Sequence, residues 1–221
     1  MNKSSTTRFP RGLYGITPDW EDTDKLTEAV RQAAAGGMTA LQWRRKTGSH
    51  AQRLAQGKAL RRLCSALGIV FMVNDSLETA LQLEADGAHL GRDDGPLTAA
   101  RKALGPDRLL GASCYNQPQL AEQALAAGAD YIAFGAMYPS QVKPEAVQAS
   151  LEHLRIAQHL AASFATEHSR AAVVAIGGIT PDNAAPLVEA GADSIALISG
   201  LFEAPDIQAA AARCRALFKA A

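Results

Sequence analysis

The chain has 221 residues, and its 22 Lys plus Arg balance 22 Asp plus Glu, giving a formal net charge of zero with 48% hydrophobic residues. That balance supplies no basic field for a nucleic acid or an anionic membrane, and runs such as Ile69 to Val73 fall far short of the roughly 18–20 apolar residues of a membrane-spanning helix. The length suits one α/β barrel domain, which uses roughly 200–250 residues.

Residues 1–10 read as a short polar extension without the apolar stretch of a secretory signal, so a cytoplasmic location is expected. Strand candidates, short and rich in β-branched or aromatic residues, begin near Leu13, Ala40, Val70, Gly87, Leu109, Tyr131, Ala172 and Ser194. Helix candidates lie between and after them, at about Thr23 to Ala34, Ala51 to Leu67, Leu77 to Glu84, Leu97 to Leu104, Pro118 to Ala127, Leu151 to Phe164, Asn183 to Ala190 and Asp206 to Ala220. Strict alternation implies a parallel sheet covered by helices. A weak repeat agrees: Ala127-Gly128-Ala129-Asp130 and Ala190-Gly191-Ala192-Asp193 each close a helix and open a strand, with Glu84-Ala85-Asp86-Gly87 a looser copy. Eight such units most simply close into a single (β/α)8 TIM barrel. The alternative is an open doubly wound sheet, but no Rossmann glycine fingerprint follows the first strand. Cys64, Cys114 and Cys214 show no CxxC spacing and read as free thiols.

In a barrel the chemistry sits at the C-terminal strand ends. The second strand ends in Gln42-Trp43-Arg44-Arg45-Lys46, where alternation sets Gln42, Arg44 and Lys46 on one face and Trp43 and Arg45 on the other. Two cations aimed into a barrel mouth call for an anionic ligand; the alternative is an exposed basic loop. The third strand ends in Asn74-Asp75, and the fourth runs through His89 into Gly91-Arg92-Asp93-Asp94. Asp75 and one of the two later aspartates suit a hard divalent cation, although helix capping and an ordinary turn explain each singly. His89 reads more simply as a satisfied structural histidine than as a base. Ser113 ends the fifth strand and offers a hydroxyl to a phosphate or a cap to the next helix. Lys143 lies in a long loop after the sixth strand, of the kind that closes over ligands. Gly177-Gly178 after the seventh strand and Ile198-Ser199-Gly200 after the eighth match a phosphate cradle of backbone N–H groups. Together these ends describe two anionic ligands, one of them a diphosphate, and substitution at the carbon that bears it.

These segments, with Leu13-Tyr14-Gly15-Ile16-Thr17 and Tyr138-Pro139-Ser140-Gln141-Val142-Lys143-Pro144, resemble the thiamine-phosphate synthase family over nearly the whole chain. The resemblance implies joining of 4-amino-2-methyl-5-hydroxymethylpyrimidine diphosphate to 4-methyl-5-(2-phosphoethyl)thiazole or its carboxylated form, by Mg2+-assisted dissociative loss of diphosphate. It implies that Gln42, Arg44, Lys46, Asn74, Ser113 and Lys143 hold the pyrimidine diphosphate and that Asp75 and Asp94 bind Mg2+. It further implies that N–H groups at Gly177, Gly178, Ile198 and Ser199 hold the thiazole phosphate. Ser140, Gln141 and Val142 would line that second site, with Trp43 and Arg45 completing the substrate-binding set and Arg44, Lys46, Ser113 and Lys143 acting on the reaction. The family usually has Thr-x-Thr before the loop lysine; here Ser140-Gln141-Val142 keeps only the first hydroxyl, so either backbone holds more of the thiazole or its affinity is lower.

Other readings are a thiazole tautomerase of the same fold, a catalytically silent thiazole-phosphate binder, and a Schiff-base aldolase using Lys46 or Lys143. A tautomerase needs no joint set of Arg44, Lys46, Asn74, Asp75, Asp94 and Lys143, and an aldolase lysine needs a desolvated setting. The apolar helix faces would serve a homo-oligomer as well as a monomer.

Overall fold

A computed structural model describes residues 6–139, 145, 147–167 and 169–218. Eight parallel strands close a barrel: β1 (Gly12–Ile16), β2 (Met38–Trp43), β3 (Val70–Asn74), β4 (Gly87–Leu90), β5 (Leu109–Tyr115), β6 (Tyr131–Phe134), β7 (Ala172–Ile176) and β8 (Ser194–Leu197). β8 pairs with β1, Ser194 opposite Gly12, so the sheet has no edge. The helices are α1 (Thr23–Ala35), α2 (His50–Leu67), α3 (Leu77–Gln82), α4 (Leu97–Leu104), α5 (Pro118–Ala126), α6 (Leu151–Ser163), α7 (Ala185–Glu189), α8 (Ser199–Phe202) and α9 (Ile207–Ala216). The expected TIM barrel is therefore the observed fold.

The helices form where sequence periodicity and caps agree. In α1, Leu26, Ala29, Val30 and Ala33 make one buried stripe, and Asp22 accepts a bond from the Lys25 N–H. Ser49 and Gln52 form a capping box at the start of α2, and Gly68 ends it in the left-handed conformation, φ 67°. The strands bury both faces. Leu13, Leu41, Phe71 and Ile132 pack outward against helices, while Tyr14, Met72, Tyr131 and Val174 fill the barrel interior.

The Gly-x-Asp repeat has a structural cause. Asp130 Oδ2 accepts the Leu110 N–H at 2.8 Å, and Asp193 Oδ2 accepts the Val173 N–H at 2.8 Å. Asp86 Oδ2 does the same for Phe71 at 2.8 Å. Each carboxylate thus ties the start of one strand to its neighbour and is neutralised by arginine: Arg8 and Arg101 at Asp130, Arg170 at Asp193, Arg61 at Asp86. Arg170 grips Asp193 with two bonds of 2.7 Å, and the carboxylate raises the guanidinium pKa. Asp193→Ala leaves the half-buried Arg170 guanidinium and the buried Val173 N–H without their partner and is expected to cost about 2–4 kcal/mol in a urea unfolding curve. A loss under about 1 kcal/mol would mean that the pair behaves as a surface ion pair.

The segment read as a polar extension is, from Thr6 onward, part of the lower barrel face. Thr6–Thr7 pairs with Ser169–Arg170, and Phe9 is fully buried, 4.2 Å from the Tyr131 ring centre and 4.9 Å from that of Tyr14. It plugs the N-terminal end of the barrel, so ligands have access at the other end.

The three cysteines are free, as expected, and all three are buried. Burial pushes the Cys64 and Cys114 thiols up to about 12 and Cys214 up to about 11, from 9.0. The folded state therefore favours the neutral thiols. Their contribution is complete below pH 9.0 and is lost as pH rises toward 11 and 12. We expect no thiol labelling of the native protein near pH 8, full labelling in denaturant, and unfolding that becomes easier above pH 9; labelling of the native protein at the denatured rate would contradict the burial.

Candidate active site

The C-terminal mouth of the barrel opens into a cavity of about 750 Å3. From β2, Gln42, Arg44 and Lys46 face it, as alternation requires. Trp43 points into the helix layer instead, donating to Gln56 Oε1 on α2 at 3.1 Å, and Arg45 Nε donates to the Thr47 carbonyl at 3.1 Å. The backbone beneath the cations is clamped from the β1 side. Buried Thr17 accepts the Arg44 N–H at 2.8 Å and donates to the Arg44 carbonyl at 3.1 Å, while Asp19 Oδ1 accepts the Lys46 N–H at 3.1 Å. Arg44 is half-buried and Lys46 exposed, so Lys46 lacks the desolvated setting of a Schiff-base lysine.

Asn74 and Asp75 line the next sector. The cap of α3 is Ser76, whose Oγ accepts the Thr79 N–H at 3.1 Å, so neither Asn74 nor Asp75 is used there. Asp75 sits at φ 60° with its N–H bonded to the His89 carbonyl at 2.9 Å. A non-glycine residue held in that region is a local cost of the kind found at functional sites. Asp94 also lines the cavity, and its Oδ2 accepts the Gly91 N–H at 2.6 Å. Among the described residues no group of three or more His, Cys, Asp or Glu gathers into a metal cage. Two carboxylates facing a cavity are, however, the donor set that Mg2+ takes when ligand phosphate and water fill its other positions.

His89, 4% exposed, bonds Tyr131 Oη through Nδ1 at 2.9 Å and Ser113 Oγ through Nε2 at 2.8 Å. It is a satisfied histidine, as read from the sequence, and Ser113 is held by it; Gln117 occupies the cap position of α5. The cavity wall also includes Asp93, the other aspartate open as a cation ligand, and Arg92, Tyr115, Gln117, Glu145 and Val147, which sequence reasoning did not assign to a ligand. The Arg92 guanidinium stacks 5.2 Å from the Tyr115 ring centre. Its only sequence signal was its place beside Asp93 and Asp94.

Across the mouth, the N–H groups of Gly177, Gly178, Ile198 and Ser199 donate to no other described residue. Gly177 and Gly178 have φ of 98° and 65°, which turns the chain back over the end of β7. Ser140, Gln141, Val142 and Lys143 lie outside the described residues, but the segment's two ends are tied by Ala136 and Val147, and by Ala149 and Ala136, each N–H to carbonyl at 2.9 Å.

The family model described as thiamine monophosphate synthase matches residues 13–201. The chain belongs to this family. A thiamine-phosphate synthase of Bordetella pertussis is 59% identical over 213 residues, 96% of this chain and 97% of that one. One of Thiobacillus denitrificans is 49% identical over 212 residues, covering 96% and 97%. The solved thiamine phosphate pyrophosphorylase of Pyrococcus furiosus superposes with TM-score 0.80 at 34% identity, covering 96% of this chain and 98% of that one. A solved 3-hexulose-6-phosphate synthase, TM-score 0.67 at 17% identity with 93% and 99% covered, shares the fold alone. Membership of the thiamine monophosphate synthase family makes the chain an enzyme of the transferase class. No helix among the described residues is long and apolar enough to cross a membrane.

Proposed function

We propose that this enzyme joins 4-amino-2-methyl-5-hydroxymethylpyrimidine diphosphate to 4-methyl-5-(2-phosphoethyl)thiazole, or to its carboxylated form with loss of CO2, releasing thiamine phosphate and diphosphate. The observation that carries the reading is that two anion-binding sectors face one cavity. β2 to β5 bring Arg44, Lys46, Asn74 and Ser113 together with Asp75 and Asp94, whereas β7 and β8 bring four N–H groups that no other described residue accepts.

Arg44 and Lys46 bind the diphosphate and stabilise the charge that grows on it as its bond to the pyrimidine methylene carbon breaks. Ser113 adds a hydroxyl, and Lys143 is assigned a further cation's part in the same binding. Mg2+, held by Asp75 and Asp94, would supply further neutralisation of the leaving diphosphate. The bond to carbon breaks with its electron pair leaving on diphosphate, the electron-rich aminopyrimidine carries the resulting cation, and the thiazole nitrogen then bonds that carbon. The protein needs no nucleophile of its own. Its part is to hold the thiazole phosphate on the Gly177, Gly178, Ile198 and Ser199 N–H groups so that the ring nitrogen faces the methylene carbon.

Incubation of the purified protein with both substrates and Mg2+, with a metal-free control, tests this through oxidation of the product to fluorescent thiochrome. Metal-dependent fluorescence is expected. Binding of both ligands by folded protein without product would replace the synthase with a silent binder.

A further inference from the structure

Beneath the cavity a continuous chain of side chains runs through the barrel interior. Gln42 Nε2 donates to Tyr14 Oη at 2.8 Å, and the Tyr14 and Tyr131 hydroxyls are 2.8 Å apart. Tyr131 Oη lies 2.9 Å from His89 Nδ1, and His89 Nε2 lies 2.8 Å from Ser113 Oγ. Gln42, Tyr14, Tyr131 and His89 are all buried, and no buried side-chain polar atom among the described residues lacks a partner. Space for the chain is made by Gly111 on β5, where a Cβ would meet Tyr131 Cζ at 2.0 Å.

Proton bookkeeping gives this chain a direction. Burial holds both phenol pKa values well above the ordinary tyrosine range, so both oxygens keep their protons. The Gln42 amide nitrogen can only donate, and it occupies Tyr14 Oη from one side. The proton on Tyr14 then has Tyr131 Oη as its acceptor. Tyr131, having accepted, turns its own proton to His89 Nδ1. A ring that accepts at Nδ1 carries its proton on Nε2 and donates it to Ser113 Oγ. Ser113 has now accepted, so its hydroxyl proton is free to point into the cavity. The reverse polarity leaves the Tyr14 proton without an acceptor in the chain and presents a Ser113 lone pair to an anion.

We propose that Tyr14, Tyr131 and His89 are positioning residues that form a polarised hydrogen-bond relay, and that this relay makes Ser113 an obligate donor to the diphosphate. Gln42 sets the direction. With Nε2 committed to Tyr14, its Oε1 acceptor remains for a ligand donor at the cavity wall, which Gln42 lines. A ligand amino group there would hold the amide in the orientation that favours the diphosphate end. The identity of the anion rests on the proposed reaction; the polarity of the relay does not.

The test is the tautomer of His89 in protein carrying 15N-labelled histidine, read from long-range 1H–15N correlations, with the resonance picked out from the five histidines by its loss in His89→Gln. The ligand-free parent is expected to show the Nε2–H form, and the Nδ1–H form would overturn the proposal without any variant. Tyr131→Phe, which removes a hydroxyl that does not line the cavity, takes away the donor that fixes His89 Nδ1 as an acceptor and should mix the two tautomers. It should also lower kcat/KM for the pyrimidine diphosphate about tenfold, one charge-assisted hydrogen bond's worth, with the thiazole-phosphate KM unmoved. A Tyr131→Phe protein that melts earlier but keeps one tautomer and both kinetic constants would reduce Tyr131 to packing. A parent with the Nε2–H form that makes no thiamine phosphate would sink the reaction and leave the relay standing.

Discussion

Asp94→Asn is expected to lower turnover at fixed Mg2+ by about a hundredfold or more, with part of the loss recovered as Mg2+ is raised, because a hard cation loses one of its two protein carboxylates. Asparagine separates the two duties of the side chain. Its amide oxygen still accepts the Gly91 N–H that Asp94 Oδ2 now takes at 2.6 Å, so the turn after β4 survives while the charge is gone. The melting temperature should then stay within about 2 °C of the parent, as for other half-exposed substitutions. Asp94→Ala removes both functions and is the less informative change. If Asp94→Asn keeps full turnover and the same Mg2+ dependence, Asp94 belongs to the turn and not to the metal. If turnover and melting temperature fall together, the carboxylate charge is part of the fold.

How far the sequence led can be judged residue by residue. The barrel was legible because its eight apolar runs alternate with helical stretches, and six of the eight begin at the expected residue, from Val70 to Ser194. β2 begins at Met38, two residues before the expected Ala40, because Thr39 sits half-buried with its Oγ1 on the Leu13 carbonyl at 3.2 Å and the pairing with β1 extends back to Met38. Helix ends that carry a glycine or a capping side chain were read closely. α7 is shorter than its periodicity suggests, since Asn183 is drawn away to bond the Thr180 N–H and the Gly178 carbonyl. The cations and carboxylates of the mouth were legible because strand alternation places them there. The relay was not, because Tyr14 and Tyr131 lie 117 residues apart on separate strands and their hydroxyls meet only once the barrel closes. Phe9 escaped notice for a related reason, a lone aromatic in a polar segment whose partners are 5 and 122 residues away in sequence.

Gly178→Ala is expected to raise the KM for the thiazole phosphate about a hundredfold while changing the KM for the pyrimidine diphosphate little. Gly178 holds φ 65°, and a Cβ there would lie 2.5 Å from the Pro139 carbonyl oxygen and 2.6 Å from that of Tyr138. Both obstacles are backbone, and the neighbouring turn is braced: Asn183 Nδ2 donates to the Gly178 carbonyl at 3.1 Å, and Tyr138 Oη donates to the Asn183 carbonyl at 2.8 Å. The methyl group can be accommodated only by swinging the Gly177–Gly178 peptides, which carry two of the four N–H groups assigned to the thiazole phosphate, out of line with it. Two hydrogen bonds to a charged group at about 1.5–3 kcal/mol each cover a hundredfold. Gly68→Ala supplies the control: Gly68 has nearly the same φ, 67°, but nothing lies within 4 Å of the added carbon. It should cost about 1 kcal/mol of stability for the left-handed backbone and leave both KM values alone. Equal rises in the two KM values for Gly178→Ala would mean that the whole mouth had shifted. No rise in either would mean that the thiazole phosphate is held elsewhere, with β8 and the loop between β6 and α6 as the remaining walls.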